Sequence, residues 1–329
     1  MFLHLILDGV ADSALGVALD VVATAAHFTQ SGRAPLPHGG KALLQRVVSL
    51  DGEPVRSAAG RSVAVDGAFS PRALREGDVV LLPGVFSAGA RTVEKLLARE
   101  DARRAAELLA KAASKDVTLA ASCSATFVLA ASGVLDGRSA TTSWWLAPEF
   151  ARRFPKVSLS AERMVVDEGS IITAGAALAH VDLTLTIVAR MIGPSLPHLV
   201  TRYLVLDERS SQARYMVHEH LRASDPAVLA IERFVAENVE RQLSLKELAR
   251  AAQVSSRTLA RRVRTSLGMT PLEFVHRLRV RRAIHLLETT RYAIEDIAAR
   301  VGYADAAAFR RVFRRYTGES PRQLREPGG

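Results

Sequence analysis

At 329 residues the chain is too long for one ordinary domain, and its 48% hydrophobic content can supply a core to each of two or three. No apolar run reaches the roughly 18–20 uncharged residues of a membrane helix, and a lone cysteine, Cys123, excludes an internal disulfide framework and fits a reducing compartment, so the cytoplasm is the expected location. The formal net charge of +10 is uneven: residues 221–329 hold 21 of the 44 Lys and Arg but only 12 of the 34 Asp and Glu, and all but one of those 21 cations are Arg, which points this segment at a polyanion.

The N-terminus "MFLHLILDGVADSALG" lacks a basic n-region and its apolar run ends at Asp8, so it reads as a first strand and not as a signal peptide. "GVALDVVATAAHF" reads as a helix. "LLQRVVSLDGEPV", with its Asp51-Gly52 turn signal, suggests a hairpin or a strand with a loop. "DVVLLPG" (Asp78–Gly84) is a strand closed by a Pro-Gly turn, and "TVEKLLAREDARRAAELLAKAASK" is an amphipathic helical stretch. "VTLAA" (Val117–Ala121) is the next strand, "RMVVDEGSIITAG" a strand pair, and "AHVDLTLTIVARMIG" a helix after it. Strands alternating with helices imply a mostly parallel sheet covered on both faces, with ligands beyond the carboxyl ends of the strands. Asp8, Pro83-Gly84 and Cys123 fall at such ends.

At Ser122-Cys123-Ser124 a strand-like run stops and a helix-like run begins, which is how several α/β hydrolytic folds expose a nucleophile. Such chemistry needs a base to activate the thiol and donors to hold an oxyanion. The backbone amides of Gly84 and Val85 and those after Cys123 are candidate donors. This region, about residues 1–195, resembles the ThiJ/PfpI branch of the class I glutamine amidotransferase-like superfamily through "DVVLLPG", "SCSATFVLAASGVLDGRSATT" and "VVDEGSIITAGAALAHVDLTL". The resemblance implies a flavodoxin-like α/β fold with Cys123 at the elbow position of enzymatic members. Two departures stand against catalysis. Ser143 occupies the place of the histidine in the related "ATTHW" pattern, and the usual glycine near the elbow is replaced by Ser124-Ala125. Of His4, His27, His38, His180 and His198, only His180 is kept as a candidate base. Four roles stand open to Cys123: hydrolytic nucleophile, oxidation sensor, small apolar packing residue, or the inherited elbow of a ligand pocket, the one favoured here. Asp8, Gly84, Val85, Cys123, Ser124 and Ser143 are the candidate pocket residues. Trp144-Trp145 either lines the pocket or packs beneath it, packing being favoured. No metal-ligand cluster, P-loop or dinucleotide fingerprint appears, so no metal or cofactor is expected.

Residues 196–225 read as a linker region, part of which can pack as a final element of the first domain, with "DERSSQ" and "RASDP" as loop and linker, and "PAVLAIERFVAENVE" then opens a second domain, 226–329, anchored by Leu229, Phe234 and Val235. This domain contains a repeat. "SLKELARAAQVSSRTLARRVRTSLGMTP" is echoed by "AIEDIAARVGYADAAAFRRVFRRYTGESP": Leu248-Ala249 matches Ile297-Ala298, and Leu259, Arg261, Gly268 and Pro271 match Phe309, Arg311, Gly318 and Pro321. Each copy reads as helix, tight turn, helix. Ser244 and Glu247 form a capping box, and Ser255 or Ser256 starts the next helix. Leu259 and Val263 face a core, while Arg257, Arg261 and Arg264 lie at i, i+4, i+7 on another face. Phe309 and Phe313 play the core part in the second copy, with Ala307, Arg311 and Arg314 outside and Gly302 in the turn, where a positive φ is expected. Thr270-Pro271-Leu272-Glu273 starts a longer joining helix with a stripe of Val280, Ala283, Ile284 and Leu287.

Residues 226–326 resemble the double helix-turn-helix domain of AraC-type transcription regulators. The order of this domain after a ThiJ/PfpI-like one is similar to the GlxA-type group of that family. The resemblance implies two recognition helices, Ser256–Arg264 and Asp305–Arg314, entering successive major-groove segments of double-stranded DNA, and a homodimer. By that match Arg257 and Arg261, then Arg310 and Arg311, read bases; Arg262, Arg264, Arg314 and Arg315 contact phosphates; Ser256, Thr258, Ala306 and Ala307 complete the contact surface. Because Ala306, Ala307 and Ala308 open the second helix, the first motif is expected to carry more sequence specificity. The expected function is a sequence-specific transcription regulator, not an enzyme, controlled by a small-molecule effector or by dimer contacts, with RNA polymerase a further candidate partner. The alternatives are a Cys-dependent hydrolase or amidase tethered to DNA and an architectural DNA binder without an effector.

Overall fold

The structure, a computed structural model, describes residues 1–33, 43–207, 209, 211–212, 225–267 and 269–325. It divides into two compact units, Met1–Ser210 and Ser211–Gly329. Among the described residues no helix is long and apolar enough to cross a membrane.

The first unit is built on strands β1 (Phe2–Leu5), β2 (Gln45–Val48), β3 (Val55–Arg56), β4 (Ser62–Val63), β5 (Val79–Leu82), β6 (Thr118–Ser122), β7 (Ser139–Ala140), β8 (Ser158–Leu159), β9 (Val165–Asp167) and β10 (Ile171–Ala174). Six of them form one sheet in the order β2-β1-β5-β6-β10-β9. All its pairings are parallel except β10–β9, the strand pair expected from "RMVVDEGSIITAG". β3 and β4 form a separate antiparallel pair. The expected amphipathic stretch after β5 is two helices, α2 (Ala90–Ala98) and α3 (Glu100–Ala112), because Arg99 adopts extended backbone between them. With α1 (Asp12–Gln30), α4 (Ala125–Ala131), α5 (Ala147–Arg153), α6 (Ala179–Ile192) and α7 (Ser195–Leu204), they complete the layers.

Alternation along the strands feeds two cores. On β5, Val80 and Leu82 join a cluster with residues of α2, α3 and α4, including Val93, Leu109 and Phe127. Val79 and Leu81 join the opposite cluster with Val21, Phe28, Leu183 and Val188 of α1 and α6. Within the linker region, α7 is the part that packs on the first unit as a final element: its Leu196 and Val200 are buried in the second cluster. The stretch 213–224, with the expected "RASDP" boundary, lies outside the described residues.

The second unit is helical: α8 (Pro226–Glu237), α9 (Leu245–Ala251), α10 (Ser256–Leu267), α11 (Pro271–Thr289), α12 (Ile294–Arg300), α13 (Ala306–Thr317) and α14 (Pro321–Arg325). The start signals are realised as hydrogen bonds. Ser244 and Glu247 make the reciprocal capping box of α9, and Thr270 and Glu273 that of α11 behind Pro271. Ser320 and Gln323 repeat the exchange at α14. α8 is anchored differently from the reading above: Val228, Ile231 and Val235 are buried, whereas Leu229 and Phe234 are only half-buried. In the second motif Val280, Ala283, Leu287, Ile297, Phe309 and Phe313 share one core.

Candidate nucleic-acid interface and the Cys123 elbow

α10 and α13 occupy equivalent places in the two copies. Leu259 and Val263 of α10 are fully buried, and so are Phe309 and Phe313 of α13, which fixes the opposite faces outward. Arg257, Arg261 and Arg264 are exposed on α10; Ala307, Arg310, Arg311, Arg314 and Arg315 are exposed on α13, with Ala306 half-buried. Ser255 caps α10, its hydroxyl accepting from the Thr258 N–H at 3.1 Å and meeting the Thr258 hydroxyl at 2.9 Å. Ser256 is thus the first helical residue, and the Thr258 hydroxyl is engaged at the cap. Asp305 caps α13 through the Ala307 and Ala308 N–H groups, which hold its carboxyl below the usual range.

The outward arginines are of two kinds. Arg262 lies 3.7 Å from Asp225, Arg310 is paired with Glu295, and Arg315 lies 3.9 Å from Glu273. Among the described residues no ion pair forms at Arg257, Arg261, Arg264, Arg311 or Arg314. Their forked donors, the groups that grip guanine or phosphate bidentately, are not engaged in an ion pair. Arg310, read from sequence as equivalent to Arg311, is distinguished from it by Glu295 on α12.

The turns before these helices also correspond. Gly302 has φ 81° and Gln253, at the matching place in the first copy, has φ 54°. The sequence reading found the glycine and missed Gln253, although its alignment with Gly302 in the repeat was the available signal. Gly268, matched above to Gly318, lies outside the described residues.

In the α/β unit the chain turns sharply at Cys123, with φ 57°, between β6 and α4. The turn is held by the Cys123 N–H, which donates to the carbonyls of Ala174 (3.1 Å) and Gly175 (2.7 Å), and by the Thr142 hydroxyl, which donates to the Cys123 carbonyl at 2.7 Å. Gly84 passes so close that a Cβ there would lie 2.7 Å from the Cys123 Cβ, so only glycine fits. Gly84, Val85, Cys123, Ser124 and Ser143 therefore do come together. Asp8 is exposed and accepts the Arg56 backbone N–H at 2.9 Å.

What these residues do to one another decides their chemistry. The Val85 N–H, one of the expected oxyanion donors, is bonded to the Ser124 hydroxyl at 3.0 Å, and that hydroxyl donates back to the Val85 carbonyl. Ser143, in the histidine's place, donates its hydroxyl to the Cys123 sulfur at 2.9 Å. Burial pushes the thiol up, against the smaller opposing effects of the Ser143 and Ser124 hydrogen bonds. Trp144 is buried, and Trp145 donates to the Ser87 carbonyl at 3.0 Å, so this pair packs and ties down the loop after β5.

His180 is fully buried on α6 with Nδ1 bonded to the Ser122 hydroxyl at 2.9 Å, and burial, then His4, lowers it to about 3. A group so weakly basic does not take a thiol's proton near neutral pH. His4 is lowered to about 4 by burial, against its bond to the Gln45 side chain. Gln45 uses its amide N–H on the Leu19 carbonyl, so its oxygen accepts from His4 Nε2. Among the described residues, His4 Nδ1 and His180 Nε2 have no hydrogen-bond partner. His38 lies outside the described residues. Among those described, no group of three or more His, Cys, Asp and Glu side chains could hold a metal ion.

A parallel α/β unit with a cysteine elbow, followed by paired helix-turn-helix motifs, defines a transcription regulator of the AraC type. The model of the DJ-1/PfpI family matches residues 5–190, and that of a helix-turn-helix domain matches residues 248–327. The chain is 31% identical over 282 residues to the HTH-type transcriptional regulator CdhR of Pseudomonas aeruginosa, covering 85% of this chain and 80% of that protein. It is 32% identical over 209 residues to the HTH-type transcriptional regulator GlxA of Rhizobium meliloti, covering 63% of this chain and 64% of that one. An AraC family transcriptional regulator from Pseudomonas putida, known from its crystal structure, shares the α/β fold with a TM-score of 0.50 at 22% identity, covering 62% of this chain and 98% of that chain. The chain belongs to the AraC-family helix-turn-helix regulators that carry an N-terminal DJ-1/PfpI domain.

Proposed function

We propose that this regulator reads DNA sequence mainly through α10, and that its α/β unit is a non-catalytic control module acted on by a small-molecule effector or by homodimer contacts. The observation that carries the proposal is the contrast between the two sites. Equivalent helices present guanidiniums, those of Arg257, Arg261, Arg264, Arg311 and Arg314, that form no ion pair among the described residues, while at the elbow the thiol is buried, the Val85 donor is occupied and the base position holds Ser143. In this reading Arg257, Arg261 and Arg311 reach base edges. Arg264 and Arg314 contact phosphate, joined by Arg262 and Arg315 once these leave their carboxylates. The bound state contacts RNA polymerase from the cytoplasm. The regulator names of both relatives support the reading.

The test uses DNA selected from a random pool by the full chain. Arg257→Ala is expected to cost about 1–3 kcal/mol and to relax discrimination against scrambled DNA, with Arg311→Ala relaxing it less. Equal loss of discrimination from both overturns the leading role of α10, and unchanged discrimination in both overturns the assignment of the helices. Amidase or glyoxalase activity that Cys123→Ser abolishes overturns the non-catalytic reading and restores the tethered hydrolase.

A further inference from the structure

α11 joins the two helix-turn-helix motifs and packs against the three helices before it and the three after it. An arginine-rich helix in that place is expected to turn its charges to solvent, yet Arg279, in its middle, is only 5% exposed. A guanidinium is held at such depth by specific partners. Its Nη2 donates to the Arg241 carbonyl at 2.6 Å, in the loop that follows α8 in the first motif. Its guanidinium carbon lies 5.5 Å from the centre of the Tyr303 ring, in the turn of the second motif. Tyr303 is itself held to α11, its hydroxyl 2.8 Å from His276 Nδ1.

Gly302 completes the junction. A Cβ there would come within 2.6 Å of Arg279 Nη2 and would collide with the Val239 carbonyl, also in the loop after α8. One side chain of the joining helix therefore meets a backbone carbonyl of the first motif and the turn of the second. Apolar packing holds α11 to each motif but is not directional. A planar guanidinium fixed by a hydrogen bond and an aromatic face is.

We propose that Arg279 is the positioning residue that sets the second helix-turn-helix motif relative to the first, and through it the spacing of the two DNA segments that the chain engages at once. This rests on the DNA-binding reading above. Two contacts joined in one body multiply only when their geometry matches the target. The hydrogen bond and the aromatic contact of Arg279 are both to residues outside α10 and α13. Arg279 acts by holding those two helices in register.

The test compares the full wild-type chain with Arg279→Met and Arg279→Lys on DNA selected by the wild type. The DNA is used intact, with either segment scrambled, and with one base pair inserted between the segments. Arg279→Met is expected to lose at least about tenfold on intact DNA, to match the wild type on singly scrambled DNA, and to tolerate the insertion that the wild type rejects. Arg279→Lys, keeping a charged donor, is expected to recover part of the spacing preference. Equal losses on intact and scrambled DNA would mean general destabilisation and overturn the proposal, as would an unchanged spacing preference. A second measurement needs no DNA. Spin labels at Lys246→Cys and Asp296→Cys, on the exposed faces of α9 and α12 in a Cys123→Ser background, report the distance between the motifs. A broader distribution in Arg279→Met is expected, and an unchanged one overturns the strap. A wild-type chain that selects no DNA overturns the DNA-binding reading instead, while the labels still decide the role of Arg279.

Discussion

Cys123 has the left-handed backbone of an elbow nucleophile and a buried side chain, and the two act in opposite directions on its reactivity. Thiol chemistry needs the thiolate, which burial disfavours. In the folded chain Cys123 is expected to alkylate at least about tenfold more slowly than in the denatured chain; comparable rates would restore the sensor role. The same burial makes His4 and His180 acid-labile. A histidine whose folded pKa lies below its unfolded 6.5 takes up a proton only on unfolding. Its contribution is intact above pH 6.5, falls as the pH drops below that, and levels near about 4 for His4 and about 3 for His180. Asp182, raised by burial to about 6 in spite of its Arg209 partner, works in the opposite sense, because folding helps it hold a proton between its unfolded and folded values. Between pH 6 and 5, above the range in which Glu149, Asp12 and Asp51, all held low in the folded chain, add their own uptake, the balance is about one proton taken up on unfolding, so the α/β unit should lose about 1.4 kcal/mol over that pH unit. Both tryptophans of the chain lie in this unit, so their fluorescence follows its melting alone. His180→Gln should bring the slope close to zero; a slope left unchanged would show that His180 is not the group responsible.

At the scale of elements, the two turns test whether the duplicated motifs are equivalent. Gln253 holds a left-handed φ that costs a side-chain-bearing residue roughly 1–2 kcal/mol, against about 0.5–1 kcal/mol of extra chain entropy for glycine. Gln253→Gly should therefore stabilise the second unit by roughly 0.5–1 kcal/mol. Gly302→Ala, with the same backbone but the Arg279 and Val239 atoms in the way, should cost at least about 2 kcal/mol. Helical circular dichroism during thermal melting measures both, and changes of the same sign would break the equivalence. These elements also show what a sequence discloses. Capping boxes, core stripes and strand ends are local patterns, and Ser244, Thr270, Phe309 and Val79 are where those patterns put them. The bond between Val85 and Ser124 joins residues 39 apart, and its partners look like ordinary loop residues until the strands are paired. Arg277 and Arg279 look like surface charges in "HRLRVRR". They are buried only because α11 is enclosed by helices that come before and after it in the chain.

Over the whole molecule, charge separates the two tasks. Residues 1–220 carry 23 Lys and Arg against 22 Asp and Glu, so nearly all of the excess of cations lies in residues 221–329, with the helix-turn-helix motifs. Neutralising phosphates releases counterions, so affinity falls with salt by about 0.9 of a log unit per contact per log unit of salt. Arg264 and Arg314 form no ion pair among the described residues, Arg264 acting on Glu273 only from a distance, so each should contribute nearly one full contact. Arg262 and Arg315 must first be drawn from Asp225 and Glu273, an exchange of one anion for another that releases less. Titrating the full chain on selected and on scrambled DNA at several salt concentrations separates these cases. Arg264→Ala and Arg314→Ala should each flatten the salt slope by about one and weaken both DNAs alike. Arg262→Ala and Arg315→Ala should flatten it by less than half as much. Equal flattening by all four would mean that the carboxylates do not hold their arginines in solution. A slope that none of them changes would move the phosphate contacts off these two helices altogether.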